Sequence, residues 1–289
     1  KVNNLPESNG SRYFSKINVN IGIICDEFLF NSLKDAANFY YIKKDEYKNL
    51  EVKLDVLVVA STWKGLYDDW KGFANPKNTQ LRNYIYDMID YFREQGVKIV
   101  FYSKEDPTNY DRFVDIAKKC DYIFTTAIEK INDYRRDCNN FKVYPLEFSV
   151  NPIYNNPVGY NVVDRIEGAI FAGSWYEKYP HRKKDTRILF DGVLESGKEL
   201  KIIDRNFEKN LPNHFFPPEY IEYISPSIEH STLQQIFKIF PWTINLNSIK
   251  TSETMFANRV YELQAMGRLI LSNYSLGINN LFPNIFLVH

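Results

Sequence analysis

Three polar residues near the C-terminus have a spacing that suits a nucleotide. Asn258 and Glu262 are four residues apart, and Arg259 lies three residues before Glu262, so a helix would place all three on one face. On such a face the carboxylate could accept hydrogen bonds from both ribose hydroxyls, while the arginine and the N–H groups of the helix start bind phosphate. The same spacing fits an ordinary surface ion pair between Arg259 and Glu262, and spacing alone favours that simpler interpretation.

A second candidate for phosphate binding is a glycine–serine turn in the middle of the chain. Gly173 and Ser174 follow an apolar run, and the basic segment 181–184, which includes Arg182, comes shortly afterwards. A glycine lets the backbone approach a phosphate closely, and the cations would neutralise it. The turn is not G-x-G-x-x-G, and the sequence has no G-x-x-x-x-G-K-[ST] loop, so neither a nicotinamide site nor a P-loop is predicted. A plain tight turn before a solvated basic helix is the alternative.

Acidic residues follow two apolar runs in the first half of the chain. Asp26 comes directly after one run, and Glu105 and Asp106 come shortly after another. Carboxylates in these positions could bind sugar hydroxyls or act as a general base. For Glu105 and Asp106 the simpler alternative is the start of an Asp-Pro turn, since Pro107 follows.

The segment 243–272 contains the first of these candidates and is predicted to be a strand, a loop, a helix and a second strand. Residues suited to capping predict that the helix begins near Ser252 or Thr254, and Gly267 provides the left-handed residue that ends it. The loop would then lie at the carboxyl end of a parallel strand, where open α/β sheets bind their ligands.

Apolar runs alternate with amphipathic segments along the rest of the chain, which predicts parallel sheets covered by helices on both faces. The predicted strands are 19–25, 55–60, 97–102, 122–125, 142–146, 169–172, 200–203, 221–225, 243–247 and 269–271. The predicted helices are 33–41, 78–95, 110–119, 128–137, 182–194, 232–240 and the one beginning at 252–254. Because prolines and asparagines interrupt the pattern, we predict a frayed lead at 1–16, a domain at 17–150, a linker at 151–165 and a second domain at 166–289.

The composition argues against several classes of protein. With 36 basic and 36 acidic residues the formal net charge is zero, which argues against a nucleic-acid partner bound through overall charge. The three cysteines and four histidines lack the spacing of a zinc site, and the cysteines fit reduced thiols in a cytoplasmic protein. No apolar run reaches the ~20 residues of a membrane helix, and the first residues do not resemble a signal peptide.

Seven segments resemble, in the same order, the CgeB-type glycosyltransferase family, which is associated with spore and surface polysaccharide maturation. They are IICDEF, STWKG, FYSKEDPTNYDRF, DYIFTT, FAGSWYEKYPHR, DRNF and NLNSIKTSETMFANRVYELQAMGRLILSNYSLGI. The resemblance spans residues 17–289. It implies a GT-B architecture, in which two Rossmann-like, doubly wound parallel-sheet domains face a cleft. The donor nucleotide-sugar would bind to the C-terminal domain and the acceptor to the N-terminal domain.

The resemblance also implies roles for individual residues. Gly173 and Ser174 would face the donor diphosphate with Arg182 as a clamp, and Glu262 would bind the ribose hydroxyls. The other residues assigned to the donor are Tyr223 and Ser225 beside the base, Thr254, Asn258 and Arg259 beside phosphate or sugar, and Arg205 and Asn247 by their position at strand ends. Many GT-B transferases have two glutamates, eight residues apart, around this helix. This chain has Glu262 at the second position but Thr254 at the first. In the N-terminal domain the candidates for activating the acceptor are Asp26, Glu105 and Asp106.

The sequence therefore predicts a glycosyltransferase that moves a sugar from a nucleoside diphosphate donor, with UDP favoured, to an acceptor hydroxyl. The acceptor could be a glycan, a teichoic acid-like polymer or a protein, and no cofactor, metal ion or nucleic acid is expected to take part. Arginines and backbone N–H groups would stabilise the leaving diphosphate. Two other classes stay open because fold does not determine function: a protein that binds without turnover, and a sugar-nucleotide epimerase.

Overall fold

The computed structural model describes residues 15–159, 165–284 and 287–288. These residues form two compact units. The first contains the described residues up to Asn151 together with Ser252–Met255, and the second contains those of Pro152–Thr251 and those from Phe256 onward. Residues 1–14 of the predicted lead and 160–164 of the predicted linker lie outside the described residues. The other linker residues after Asn151 belong to the second unit.

The first unit is built on a sheet of six parallel strands in the order β2-β1-β3-β4-β5-β6. The strands are β1 Asn20–Ile24, β2 Asn38–Tyr41, β3 Val56–Ala60, β4 Lys98–Ser103, β5 Tyr122–Thr125 and β6 Val143–Pro145. The apolar runs of the sequence become the largely buried strands β1, β3 and β4, whereas the edge strands β2 and β6 are partly exposed. Because every strand runs in the same direction, all six carboxyl ends lie at one edge of the sheet.

Helices cover the faces of this sheet. In the described part of the first unit they are α1 Glu27–Leu33, α2 Thr79–Glu94, α3 Tyr110–Ala117 and α4 Ile131–Asp137. The long helix α2 begins as predicted, since the Asn78 side chain accepts a hydrogen bond from the Leu81 N–H at 3.2 Å. It is followed by Gly96 with a φ of +81°. Its apolar face is buried in the core of the unit through Leu81, Ile85, Met88, Ile89 and Phe92.

The prediction of a helix at 33–41 is wrong. The helix α1 ends at Leu33, and Asn38–Tyr41 forms the edge strand β2, which pairs in parallel with β1. Three successive aromatic residues favour a strand, because bulky rings suit a half-buried pleated surface. At the end of β2 the Tyr41 hydroxyl donates to Asp69 Oδ1 at 2.7 Å, and this bond fixes the strand to the loop after β3.

The second unit also has a sheet of six parallel strands, in the order β12-β11-β10-β7-β8-β9. The strands are β7 Gly168–Gly173, β8 Glu199–Asp204, β9 Ile224–Ser225, β10 Trp242–Asn245, β11 Leu269–Asn273 and β12 Leu287–Val288. The helices are α5 Pro180–Glu195, α6 His230–Phe237, α7 Arg259–Ala265 and α8 Leu276–Leu281. Strands β7 and β8 lie so close that a Cβ added at Gly168 would be 2.2 Å from the Glu199 carbonyl oxygen. Only glycine fits there without moving a strand.

The predicted strand at 221–225 is much shorter in the structure. A 3-10 helix at Pro218–Tyr223 takes up most of it, and only Ile224–Ser225 pairs with β8. Proline is well suited to the start of such a helix, because its φ is already helical and its missing N–H is not needed there.

The helix predicted to begin near Ser252 or Thr254 begins instead at Arg259. The preceding residues pack with the first unit, where the Thr254 hydroxyl donates to the Thr126 carbonyl oxygen at 2.7 Å and accepts from the Ile128 N–H at 3.0 Å. These bonds satisfy Thr254 outside a helix, so its capping character is not used for α7.

Apolar side chains fill both faces of the second sheet. One cluster contains Phe256, Val260 and Leu263, and the other is centred on Phe171 and Phe190. Phe256 is buried in this core although it precedes α7. None of the described helices is long and apolar enough to cross a membrane.

Candidate functional site

Three arginines lie near one another at the carboxyl edge of the sheet in the second unit. Arg182 is in the first turn of α5, Arg205 follows β8, and Arg259 is the first residue of α7. Arg182 Nη1 donates to the Ser174 carbonyl oxygen at 2.8 Å, and Arg259 Nη1 donates to the Ala172 carbonyl oxygen. Both guanidinium groups are thereby anchored to the chain at the end of β7.

The ring of Tyr176 connects two of these arginines. The Arg182 guanidinium carbon lies 4.7 Å from the centre of the ring, which is within cation–π distance. Arg205 Nη2 donates to the Tyr176 hydroxyl at 2.7 Å. His214 packs against the same ring, with 5.0 Å between the ring centres. Tyr176 therefore orients both guanidinium groups without neutralising either charge.

Within the described part of the chain none of the three arginines forms an ion pair, although the charge of Glu262 acts on Arg259. The buried Nε atoms of Arg182 and Arg259 have no hydrogen-bond partner there either. Burial, together with the nearby charges of Arg205 and Arg259, lowers the pKa of Arg182 to about 10. Burial lowers the pKa of Arg259 as well. Unpartnered donors among clustered cations form a site that an anion would stabilise.

Glu262 has a hydrogen-bond network of its own and is only 4% exposed. Its Oε1 accepts from Asn258 Nδ2 at 3.0 Å and lies 3.3 Å from His230 Nε2, while Oε2 accepts from Gln234 Nε2 at 3.4 Å. Burial works to raise the pKa of the carboxyl, but the hydrogen bond and charge of His230, with the charge of Arg259, hold it below its usual value. The surface ion pair that spacing alone favoured is absent, since Glu262 contacts α6 and Arg259 contacts β7.

Two further residues predicted for donor binding hold the backbone in place. The Ser174 hydroxyl is buried and accepts from Asn206 Nδ2 at 3.0 Å. Asn247 Oδ1 accepts from the Ala257 N–H at 3.0 Å, and its Nδ2 donates to Ser272 Oγ at 3.2 Å. Asn247 therefore fixes the loop before α7 to the end of β11.

The remaining predicted donor residues are more dispersed. Gly173 ends β7, and a Cβ there would lie 2.5 Å from the Phe171 ring. Tyr223 directly precedes the edge strand β9 and Ser225 ends it, and both are half-buried. Thr254 belongs to the first unit, so it is not among the residues gathered in the second.

Lys104 is the centre of a charge cluster in the first unit. Its buried Nζ lies 2.7 Å from Asp26 Oδ2 and 2.7 Å from Glu105 Oε1. Burial works to lower the pKa of Lys104, but the two carboxylates outweigh it and raise the pKa above its usual value. The side chains of Asp26 and Glu105 stay 22% and 21% exposed. Two acids predicted from separate stretches are thus brought together at the ends of β1 and β4.

The neighbouring acid, Asp106, faces the core instead. It is fully buried, its Oδ2 accepts from Thr125 Oγ1 at 2.6 Å, and its Oδ1 accepts from the Tyr134 hydroxyl at 3.3 Å. Burial raises the pKa of Asp106 to about 6. A carboxylate so enclosed links β5 to α4, and we leave it out of the site proposed below.

Four residues that contact the candidate site were not predicted from the sequence: Tyr176, His230, Gln234 and Lys104. The aromatic loop after β7 is conspicuous in the sequence, but nothing there shows which ring contacts an arginine. Lys104 directly precedes Glu105, and only the fold shows that its ammonium group lies between two carboxylates.

The chain matches no protein-family model and no curated protein. Among solved structures, an alpha-glucosyltransferase in complex with UDP and a 13-mer DNA containing a central A:G mismatch aligns with a TM-score of 0.56 at 12% identity, over 93% of this chain and 82% of that one. An alpha-glucosyltransferase in complex with UDP and a 13-mer DNA containing an HMU base gives 0.53 at 13% identity, over 91% and 81%. Such a likeness shows the fold, and it confirms the predicted class: two doubly wound parallel-sheet domains of the GT-B type.

Proposed function

We propose that this protein is a GT-B glycosyltransferase that transfers a sugar from a nucleoside diphosphate donor to an acceptor hydroxyl. The observation that carries the proposal is the cluster of Arg182, Arg205 and Arg259 at the carboxyl edge of a parallel sheet. It offers three cations and two unpartnered donors to a diphosphate. Fold alone does not justify an activity, and this cluster gives a reason based on the site itself.

The donor nucleotide binds to the second unit in this proposal. Its diphosphate lies among the three arginines, and Glu262 accepts hydrogen bonds from the ribose hydroxyls. Because its pKa is held low, the Glu262 carboxylate is ionised at neutral pH and acts only as an acceptor. Its three partners fix its orientation and leave acceptor capacity on Oε2, which has one partner where Oε1 has two. UDP is favoured as the nucleotide because the two structural neighbours described above are UDP complexes.

The transfer breaks the bond between the anomeric carbon of the sugar and the diphosphate oxygen, and it forms a bond from that carbon to the acceptor oxygen. The arginines, already fixed by Ser174, Ala172 and Tyr176, stabilise the negative charge on the leaving diphosphate. We propose that they do so without a bound metal ion. The proton of the acceptor hydroxyl passes to Asp26 or Glu105, the two partly exposed carboxylates that pair with Lys104.

Several finer points belong to the same proposal. Membership of the CgeB-type family rests on the seven segments, and a cytoplasmic location rests on the cysteine usage. The two structural neighbours described above are complexes with DNA. The zero net charge of this chain argues against DNA as its own acceptor, and the acceptors proposed here are a glycan, a teichoic acid-like polymer or a protein.

The proposal is tested by titrating the full chain with UDP, GDP, CDP and dTDP in a calorimeter, in the presence of EDTA. We expect one nucleotide to bind, and Arg259→Ala to weaken that binding about tenfold or more, because a charge-assisted contact to phosphate is lost. The matched control is Arg187→Ala, which removes an exposed arginine of α5 that pairs with Glu219 and should leave the affinity unchanged. No binding of any nucleotide to the folded wild type would refute the proposal, and equal affinity in both variants would remove Arg259 from the site.

A further inference from the structure

The Asp26–Lys104–Glu105 cluster lacks a hydrogen-bond donor, whereas the arginine cluster lacks hydrogen-bond acceptors. Asp26 Oδ2 pairs with Lys104, but Asp26 Oδ1 is out of contact with solvent and has no hydrogen-bond partner in the described part of the chain. A buried carboxylate oxygen without a partner is costly, so a donor group is needed there. Hydroxyl groups supply donors, whereas ionised phosphodiesters and sulfates supply only acceptors.

An exposed tryptophan lies beside this cluster. Ser61, at the end of β3, accepts a hydrogen bond from the Lys104 N–H through its Oγ at 2.9 Å. Trp63 is two residues further along the chain, so its Cα lies at most about 7.6 Å from that of Ser61. The Trp63 side chain is 46% exposed, the largest exposed fraction among the tryptophans.

A series of contacts through Arg112 and Asn109 connects Trp63 with Glu105. The Arg112 guanidinium carbon lies 5.3 Å from the centre of the Trp63 ring. Arg112 is on α3, where its N–H donates to the Asn109 carbonyl oxygen at 3.0 Å. Asn109 Nδ2 in turn donates to Glu105 Oε2 at 3.3 Å. The segments that carry the ring and the carboxylates therefore form one surface at the carboxyl edge of the sheet, where the neighbouring strands β1, β3 and β4 end.

We propose that this surface, formed by Asp26, Trp63, Lys104 and Glu105, binds a neutral glycan, which is the acceptor of the transfer. We call it the glycan surface. The indole ring covers the apolar face of a sugar, and the carboxylates accept bonds from its hydroxyls. Lys104 and Arg112 balance the charges of Asp26 and Glu105, so the surface has no excess of positive charge to attract an acceptor with phosphodiesters, such as a teichoic acid or DNA. The role as acceptor rests on the proposed function, whereas the binding of a glycan does not.

Binding is measured without any nucleotide donor, on a printed array. The array carries neutral oligosaccharides of glucose, galactose, mannose and N-acetylglucosamine beside phosphorylated and sulfated ones, and a duplex DNA oligonucleotide. We expect the wild type to bind at least one neutral glycan and neither the anionic glycans nor the DNA. Trp63→Ala should weaken that binding about tenfold, and Trp63→Phe, which keeps a ring, should retain most of it. The control is Phe141→Ala. Phe141 is 79% exposed and precedes β6, so it lies at the amino end of the strands, away from the carboxyl edge.

Three results would overturn the proposal: binding confined to anionic glycans or DNA, neutral binding unchanged in Trp63→Ala, or no neutral binding by the folded wild type. Titration of the same samples with UDP separates this test from that of the proposed function. Neutral-glycan binding without nucleotide binding would support the glycan surface and remove the transferase. Nucleotide binding without glycan binding would do the reverse.

Discussion

At the scale of single residues, Glu262 and Arg182 are two buried charges with different surroundings. Glu262 has three hydrogen-bond partners on α6 and beside α7. Arg182 has one carbonyl oxygen and one aromatic ring, and its Nε has no partner among the described residues. Removing a partner of a buried charge is strongly destabilising. Substitutions around Glu262 should therefore affect stability, whereas those around Arg182 should mainly affect ligand binding.

Tyr176→Phe tests the part of that expectation that concerns binding. The substitution removes the hydroxyl that accepts from Arg205 and keeps the ring over Arg182. Arg205 then has to be ordered by the ligand, so we expect UDP affinity to fall about three- to tenfold while the melting temperature changes little. Calorimetric titration with UDP and a thermal melt of the same samples give both quantities.

The matched control for Tyr176→Phe is Tyr179→Phe. The Tyr179 ring packs against Tyr176 with 6.0 Å between the centres, and this substitution leaves the bond between Arg205 and the Tyr176 hydroxyl in place. Its UDP affinity should equal that of the wild type. If both variants lost affinity to the same extent, the contact between Arg205 and the Tyr176 hydroxyl would not be the cause.

Lys238 makes the stability depend on pH. It is 2% exposed, and its Nζ donates to the Val158 carbonyl oxygen at 3.0 Å. Burial, with the charge of Arg268, lowers the pKa of Lys238 from 10.5 to about 8. Between these values the unfolded chain binds a proton that the folded protein does not, so this residue makes the free energy of unfolding rise with pH, by at most about 1.4 kcal/mol per pH unit.

Urea unfolding of the wild type and of Lys238→Met at several pH values isolates this contribution. We expect the difference in free energy of unfolding, wild type minus variant, to increase from pH 8 to pH 10.5. Buried tyrosines and cysteines also titrate at high pH, but they are common to both proteins and cancel in the difference. Parallel stability curves would show that Lys238 is not neutralised on folding.

At the scale of elements, the contact of β7 with β8 is the tightest constraint on the second sheet. Gly168→Ala would place a Cβ against the Glu199 carbonyl oxygen, so we expect a loss of about 1–3 kcal/mol in the free energy of unfolding. Gly192→Ala is the control: the position is inside α5 and a Cβ there meets nothing within 4 Å. That variant should gain about 0.5–1 kcal/mol, because alanine has the higher helix propensity. Urea unfolding measures both, and two effects of the same sign would contradict the argument.

Which elements could be predicted depends on whether their signal is local. The helix α2 could be predicted because its cap, its apolar face and the glycine that follows it all lie within one short segment of the sequence. The strand β2 was missed, because its four residues show no alternation and gain their hydrogen bonds from β1. The start of α7 was misplaced for a similar reason, since Ser252–Met255 packs with residues more than a hundred positions away.

The residues of the candidate site could likewise be predicted only where the signal is local in the sequence. Arg182 and Arg259 could be selected because each follows a predicted strand, and the carboxyl ends of parallel strands share an edge. The partner of Glu262 could not be predicted, because the spacing indicated Arg259, whereas the observed partner His230 is 32 residues away on α6. The exclusion of Asp106 depended on the direction of one side chain, which its neighbour Glu105 does not share.

At the scale of the whole molecule, the two proposed ligands should act on different units. We expect UDP to slow hydrogen exchange of backbone amides in 172–182 and 256–262, and a neutral glycan to slow it in 61–66 and 104–109, because bound ligands reduce local opening. Mass spectrometry of exchanged peptides gives both patterns. In Arg259→Ala the first pattern should weaken and the second should remain. Identical patterns for the two ligands would contradict the assignment of one ligand to each unit.

The path of the chain has a consequence for the modular exchange of domains. Within the described residues the chain passes between the units three times: after Asn151, after Thr251 and after Met255. A chimera cut only near residue 151 would therefore combine the first unit of one parent with a four-residue piece of that unit from the other. Any recombination of the two units has to preserve the hydrogen bonds of the Thr254 hydroxyl with the Thr126 carbonyl oxygen and the Ile128 N–H.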